Sequence, residues 1–113
     1  MRQKMGKCIT VAVVAGLLAG APVQAQESTY TLTIKNHQFE PTQLQIPANT
    51  KVQLIVKNAD PTPEEFESTE LHREKVIPGG QEETIYVGPL APGTYEFTGD
   101  FNPQTARGHL IVK

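Results

Sequence analysis

Val52-Gln53-Leu54-Ile55-Val56-Lys57-Asn58 runs directly into Ala59-Asp60-Pro61-Thr62-Pro63. Val52, Leu54 and Val56 recur at every second position, the period of an extended chain with one face buried. The segment that follows is turn chemistry, because proline cannot donate to a ladder and Asn and Asp bond their own backbone. The same alternation appears on both sides: Tyr30, Leu32 and Ile34; Leu44 and Ile46; Ile85 and Val87; Tyr95 and Phe97; Leu110 and Val112. Between these runs stand Pro41, Pro47-Ala48-Asn49, Pro78-Gly79-Gly80, Gly88-Pro89, Pro92-Gly93 and Asn102-Pro103. No stretch keeps a helical period. Seven to eight short strands with such punctuation predict an all-β fold, a Greek-key β-sandwich. Residues 62–70 admit two readings: a short helix with Pro63 in its first turn, or an extended segment with Phe66 facing inward.

The N-terminus has a different character. Arg2, Lys4 and Lys7 precede an apolar run over residues 8–20, and Ala21-Pro22-Val23-Gln24-Ala25 follows with small residues at the third and last positions. This is the pattern of a secretory signal peptide, residues 1–25, with cleavage expected after Ala25 and one domain over residues 26–113. The apolar run is too short to span a bilayer. The expected location is therefore the periplasm.

Removing that segment changes the chemistry available. Three of the ten Lys and Arg lie within it and all twelve Asp and Glu lie beyond it, which leaves residues 26–113 with a net charge of −5. An acidic surface of this kind disfavours nucleic acid and anionic lipid as partners. The only cysteine, Cys8, and both methionines, Met1 and Met5, also fall in the first 25 residues. The remaining 88 residues thus contain no disulfide, thiolate or thioether ligand.

His37-Gln38-Phe39-Glu40-Pro41, Leu44, Ile46, Pro47-Ala48, Lys57-Asn58 and the closing Pro92-Gly93-Thr94-Tyr95-Glu96-Phe97, with Gly108 and Leu110-Ile111-Val112, together resemble the cupredoxin domain. Thr62-Pro63-Glu64-Glu65-Phe66-Glu67-Ser68, Arg73-Glu74-Lys75-Val76-Ile77-Pro78 and Gly88-Pro89-Leu90 are similar to the small periplasmic cupredoxin-like proteins associated with bacterial ferrous-iron uptake. That resemblance implies a metal ion, iron or copper, as ligand, and a membrane iron permease or a periplasmic iron-binding protein as partner.

The departures from the cupredoxin pattern are informative. A blue-copper site draws Cys, His and Met from the loop before the last strand, and those positions fall here on Gly99, Asn102 and Thr105. The remaining His position falls at or beside Glu64. Iron-associated members often carry His where this chain has Asn102. A type 1 copper centre is therefore not expected.

The densest candidate chemistry lies between Asp60 and Glu74, where Glu64, Glu65, Glu67, Glu70 and Glu74 accompany His72. Hard oxygen donors with one imidazole suit iron, manganese, zinc or cupric copper. If the segment is extended around Phe66, Glu65 and Glu67 share the face away from the core, with Glu64 at the rim. The resemblance brings Asp100 against them and offers Asn102 as a weak or outer ligand. The candidate metal set is Glu64, Glu65, Glu67, His72, Asp100 and Asn102. The competing reading is a solvated acidic loop that keeps a sheet edge soluble. His37 reads as a structural residue beside a turn, and His109 as a solvent-facing strand residue.

No Gly-x-Ser-x-Gly, nucleophilic Cys, phosphate loop or His-Glu-x-x-His occurs beyond residue 25. The expectation is a metal-binding accessory protein and not an enzyme acting alone. The alternative is a metal-free interaction module of the same fold.

Overall fold

Alternating residues become strands wherever the inward positions are apolar, and the computed structural model, which describes residues 28–113, contains nine strands and no helix among them. In chain order they are β1 (Ser28–Lys35), β2 (Gln38–Glu40), β3 (Gln43–Ile46), β4 (Val52–Asn58), β5 (Glu64–Ser68), β6 (Arg73–Ile77), β7 (Glu82–Val87), β8 (Gly93–Thr98) and β9 (Arg107–Val112). The proposed signal peptide lies outside the described residues.

Two mixed sheets form, one ordered β2-β1-β4-β7 and the other β3-β9-β8-β5-β6. β1 runs parallel to β4 and β3 parallel to β9, while every other pair is antiparallel. The opening alternation is realised directly: Val52, Leu54 and Val56 are fully buried between Leu32 and Ile34 on β1 and Ile85 and Val87 on β7. From the other sheet, Ile46, Phe66, Ile77, Phe97, Leu110 and Val112 close the core.

Nine strands replace the seven to eight expected, for local reasons. β2 is three residues long, with Phe39 as its single buried position. β5 and β6 carry Glu, Ser, Arg and Lys at many positions, so hydrophobic alternation does not announce them. Residues 62–70 adopt the extended alternative, with β5 hydrogen-bonded on both sides by β6 and β8. Its central Phe66 is fully buried and packs on Phe97 with ring centroids 5.2 Å apart. Phe39 meets Phe97 edge-on at 4.9 Å. This aromatic triad fixes β5 against β8 at the end of the sandwich where the acidic residues gather.

Candidate metal centre

β5 places its carboxylates on two faces. The pleat sends Glu65 and Glu67 to one side and Glu64, Phe66 and Ser68 to the other. In the β5–β6 hairpin Glu67 stands directly opposite Glu74, and on its other edge β5 meets β8 at Glu67↔Thr98. Asp100 follows β8 by two residues and turns over the same face. One carboxylate oxygen from each of Glu65, Glu67 and Asp100 lies within 4.8 Å of the other two.

Gly99 makes this approach possible. A Cβ at position 99 would stand 2.9 Å from the carbonyl oxygen of Glu65 and 2.9 Å from the Ala106 Cβ, closer than a side chain tolerates. The loop is then held down by hydrogen bonds from Gly99 N to Ala106 O and from Asn102 N to Gly99 O. The Asp100 carboxylate accepts from the Thr98 hydroxyl at 3.1 Å, and the Asp100 N–H donates to the Glu65 carboxylate.

The electrostatics are those of crowded anions. Glu67 is pushed up to about 7, first by sharing a hydrogen bond with the Asp100 carboxyl, then by partial burial and the charges of Asp100, Glu74 and Glu65. Glu65 is also raised, by burial foremost, then by a hydrogen bond with Glu74 and the charges of Asp100 and Glu74, against one lowering contribution from the Asp100 N–H. Carboxyl groups this close hydrogen-bond to one another only by retaining a proton. One buried oxygen, Glu67 Oε1, has no hydrogen-bond partner at all. Glu67 and Asp100 line a hollow shared with Ser68, Glu70, Glu96 and Thr98.

Three of the six sequence candidates, Glu65, Glu67 and Asp100, are thus brought together. Glu64 is not at the rim: it faces the opposite side of β5, fully buried, where His37 Nδ1 lies 2.6 Å from one carboxylate oxygen and Asn102 Nδ2 donates to the other at 3.1 Å. Asn102 therefore stays with Glu64. His72 occupies the β5–β6 turn with a positive φ of 57° and an N–H bonded to Thr69 O, and it belongs to neither carboxylate group. Glu74 was passed over as a site residue. The four-residue connection Thr69-Glu70-Leu71-His72 was its signal, because a hairpin closed across it sets Glu67 opposite Glu74.

The positions that would carry blue-copper ligands have other work. Gly99 packs on β5, Asn102 bonds Glu64, and Thr105 Oγ1 donates to His37 O at 2.6 Å. His37, expected beside the turn at Phe39-Glu40-Pro41, instead sits within the β1–β2 turn itself, and its ring is engaged by Glu64. His109 lies in β9, half-buried.

The donor set is all oxygen, anionic and convergent, and it fits a hard or borderline divalent cation: the ion would take the place of the shared proton and satisfy Glu67 Oε1. It does not fit cuprous ion, which soft sulfur ligands select.

Residues 8–112 match the family model described as Cupredoxin-like domain. An uncharacterized protein of Rickettsia prowazekii (strain Madrid E), RP394, is 49% identical over 81 residues, which are 72% of this chain and 65% of that one. The chain thus spans about two-thirds of that relative's length. Auracyanin A, a blue copper protein from Chloroflexus aurantiacus, superposes with a TM-score of 0.67 at 15% identity, covering 78% of this chain and 100% of its own. The metal-binding domain of the Cu(I)-exporting P-type ATPase CopA of Streptococcus pneumoniae D39 gives 0.66 at 15%, covering 80% and 99%. A purple cupredoxin from Nitrosopumilus maritimus gives 0.57 at 19%, covering 74% and 98%.

Proposed function

The chain belongs to the cupredoxin-like domain family, and from that premise we propose that it is an exported, periplasmic metal-binding accessory protein serving ferrous-iron or copper-linked iron uptake, with the metal as cargo. The ion is held by Glu65, Glu67 and Asp100, flanked by Glu74. The observation that carries this reading is the buried, unpartnered Glu67 Oε1 beside two carboxyl groups that must otherwise share a proton. A solvated acidic loop would point its oxygens to water; this group turns one away from it. The export assignment rests on the N-terminal pattern, and the iron assignment on the resemblance of residues 62–78 and 88–90. A membrane iron permease or a periplasmic iron-binding protein is the partner that such a carrier requires.

Binding proceeds by exchange. A divalent ion displaces the proton held between Glu67 and Asp100, so its affinity falls as pH drops through about 7, the value to which Glu67 is raised. Unperturbed carboxylates would keep their affinity down to about pH 4. The Thr98 hydroxyl and the Asp100 N–H keep Asp100 and Glu65 oriented while the proton leaves.

Anaerobic calorimetric titration with ferrous, manganous, zinc and cupric ions tests the reading. Wild type is expected to bind at least one of these more tightly than about 0.1 mM, or roughly 5 to 6 kcal/mol, and Glu65→Gln/Glu67→Gln to lose that binding event. If no ion reaches that affinity, the metal-free docking module takes its place; if the double variant keeps every event, the ion is held elsewhere and these carboxylates are not the carrier site.

A further inference from the structure

The hairpin that carries Glu65, Glu67 and Glu74 is tied unevenly to its neighbours. β5 pairs with β6 at five register positions, but among the described residues it meets β8 at only one, Glu67↔Thr98, while β8 meets β9 at six. β6 is the outer edge of the sheet. The hairpin is therefore joined to β8 by one ladder position and by the packing of Phe66 on Phe97 behind it. That one position belongs to a candidate ligand, and Asp100 follows its partner Thr98 by two residues.

Carried two residues on, the same register would set Thr69 opposite Glu96. β5 has ended there, and the chain turns through Thr69-Glu70-Leu71-His72. A hydrogen-bonded antiparallel pair exchanges both N–H and C=O bonds; at Glu96 two side chains supply them instead. Glu96 N donates to Glu70 Oε1 at 2.7 Å, and Ser68 Oγ donates to Glu96 O at 2.6 Å. The Ser68 oxygen also accepts from Leu71 N at 3.2 Å, and buried Leu71 anchors the turn in the core. The result is a ladder rung built of side chains, one step beyond Glu67↔Thr98. Ser68, Glu70 and Glu96 line the hollow with Glu67 and Asp100, so the rung borders the carboxylate centre. Yet Glu70 belongs to neither group of converging donors; its carboxylate is committed to a backbone N–H.

We propose that Glu70 is a positioning residue of the Glu65, Glu67 and Asp100 centre, acting with Ser68 through the Glu96 backbone to hold Glu67 and Asp100 at their spacing. The proposal rests on the carrier reading of that centre. Coordination tolerates displacements of only about 0.2 Å, and the groups that orient the ligands govern affinity as the ligands do. Without the rung, β5 and β8 part at this end and Glu67 draws away from Asp100. Glu70 thus serves as a hydrogen-bond acceptor, and neither as a ligand nor as one more negative charge.

Anaerobic calorimetric titration of the whole protein with ferrous, manganous, zinc and cupric ions, well below the melting temperature, compares wild type with Glu70→Ala, Glu70→Gln and Ser68→Ala. At that temperature a contact serving stability alone would leave the affinity of the folded protein unchanged. Glu70→Ala should weaken the bound ion about 10-fold or more. Glu70→Gln keeps the acceptor oxygen without the charge and should restore the affinity. Ser68→Ala leaves every charge in place and should lose affinity as Glu70→Ala does. Exchange of the Glu96 amide hydrogen in the metal-free proteins reads the rung itself, and is expected to be slow in wild type and Glu70→Gln and faster in Glu70→Ala. Undiminished affinity in Glu70→Ala, or a Glu96 amide that exchanges there as in wild type, would overturn the proposal and leave the carrier reading intact. So would a Glu70→Gln protein that binds as weakly as Glu70→Ala, by making the charge the operative property. A wild type that binds none of the four ions would instead remove the carrier reading, and the proposal with it.

Discussion

Glu67 shows most plainly how a single side chain ties the fold to the chemistry. Its carboxyl is raised to about 7 by the Asp100 hydrogen bond, partial burial and three acidic neighbours. In the unfolded chain it titrates near about 4.3, so between those values the folded protein binds more protons than the unfolded one. Stability of the metal-free protein must therefore fall as pH rises from about 4.5 to 7, and the strain is fully present above 7. Asp60 works in the other direction. Burial pushes its carboxyl up, but the N–H groups of His37 and Asn36, the Glu64 carboxyl and the His37 charge hold it below the usual range, so its stabilisation is lost only in strong acid. The expected outcome is a melting temperature for the apo protein that is higher near pH 5 than near pH 8, and a flatter profile in Glu67→Gln. A melting temperature that climbs steadily from pH 5 to 8 in wild type would show that the carboxylates do not share a proton. None of this was legible from Glu65, Glu67 and Asp100 as letters: the spacing of Glu65 and Glu67 suggested a common face and the cupredoxin resemblance brought Asp100 to it, but the raised titration needs Gly99 to bring the loop against the Glu65 carbonyl.

At the scale of one element, β5 decides the site by alternation. Phe66 points into the core with Phe39 and Phe97, which obliges Glu65 and Glu67 to point together the other way. That much could be read from Glu64-Glu65-Phe66-Glu67-Ser68. Hydrophobic alternation also announced β1, β4, β7, β8 and β9, whose inward residues are apolar. It was silent on β6 and on the fate of Glu64, because Glu64 takes an inward position that is usually apolar and is satisfied there by His37, 27 residues earlier in the chain. No local pattern encodes a partner at that distance. Phe66→Ala tests the role of the strand: removing a fully buried ring should cost about 3 to 5 kcal/mol in urea denaturation. It should weaken ion binding as well, because β5 loses the packing that aims its carboxylates. A loss below about 1 kcal/mol would mean that the aromatic triad is not what anchors the site.

At the scale of the molecule, a fold shared with copper proteins carries a chemistry of its own. The described residues include no cysteine and no methionine, and the blue-copper positions make other contacts: Gly99 lies against the Glu65 carbonyl, Asn102 donates to the Glu64 carboxylate and the Thr105 hydroxyl donates to the His37 carbonyl. Protein loaded with cupric ion should accordingly lack the intense visible thiolate-to-copper band and give the weak spectrum of oxygen and nitrogen ligation. A strong band near that of a blue-copper centre would refute the ligand assignment. The central claim, that Glu65, Glu67 and Asp100 act together on a metal ion, is open to a measurement that observes those groups themselves. The side-chain carboxyl ¹³C resonances of uniformly labelled protein can be followed against pH and then against zinc, the diamagnetic probe. Glu67 is expected to titrate near 7 without zinc. At fixed pH, the Glu65, Glu67 and Asp100 resonances should shift together on addition of one equivalent. Carboxyl signals of these three residues that stay unmoved through millimolar zinc, with Glu67 titrating as an ordinary glutamate, would contradict it.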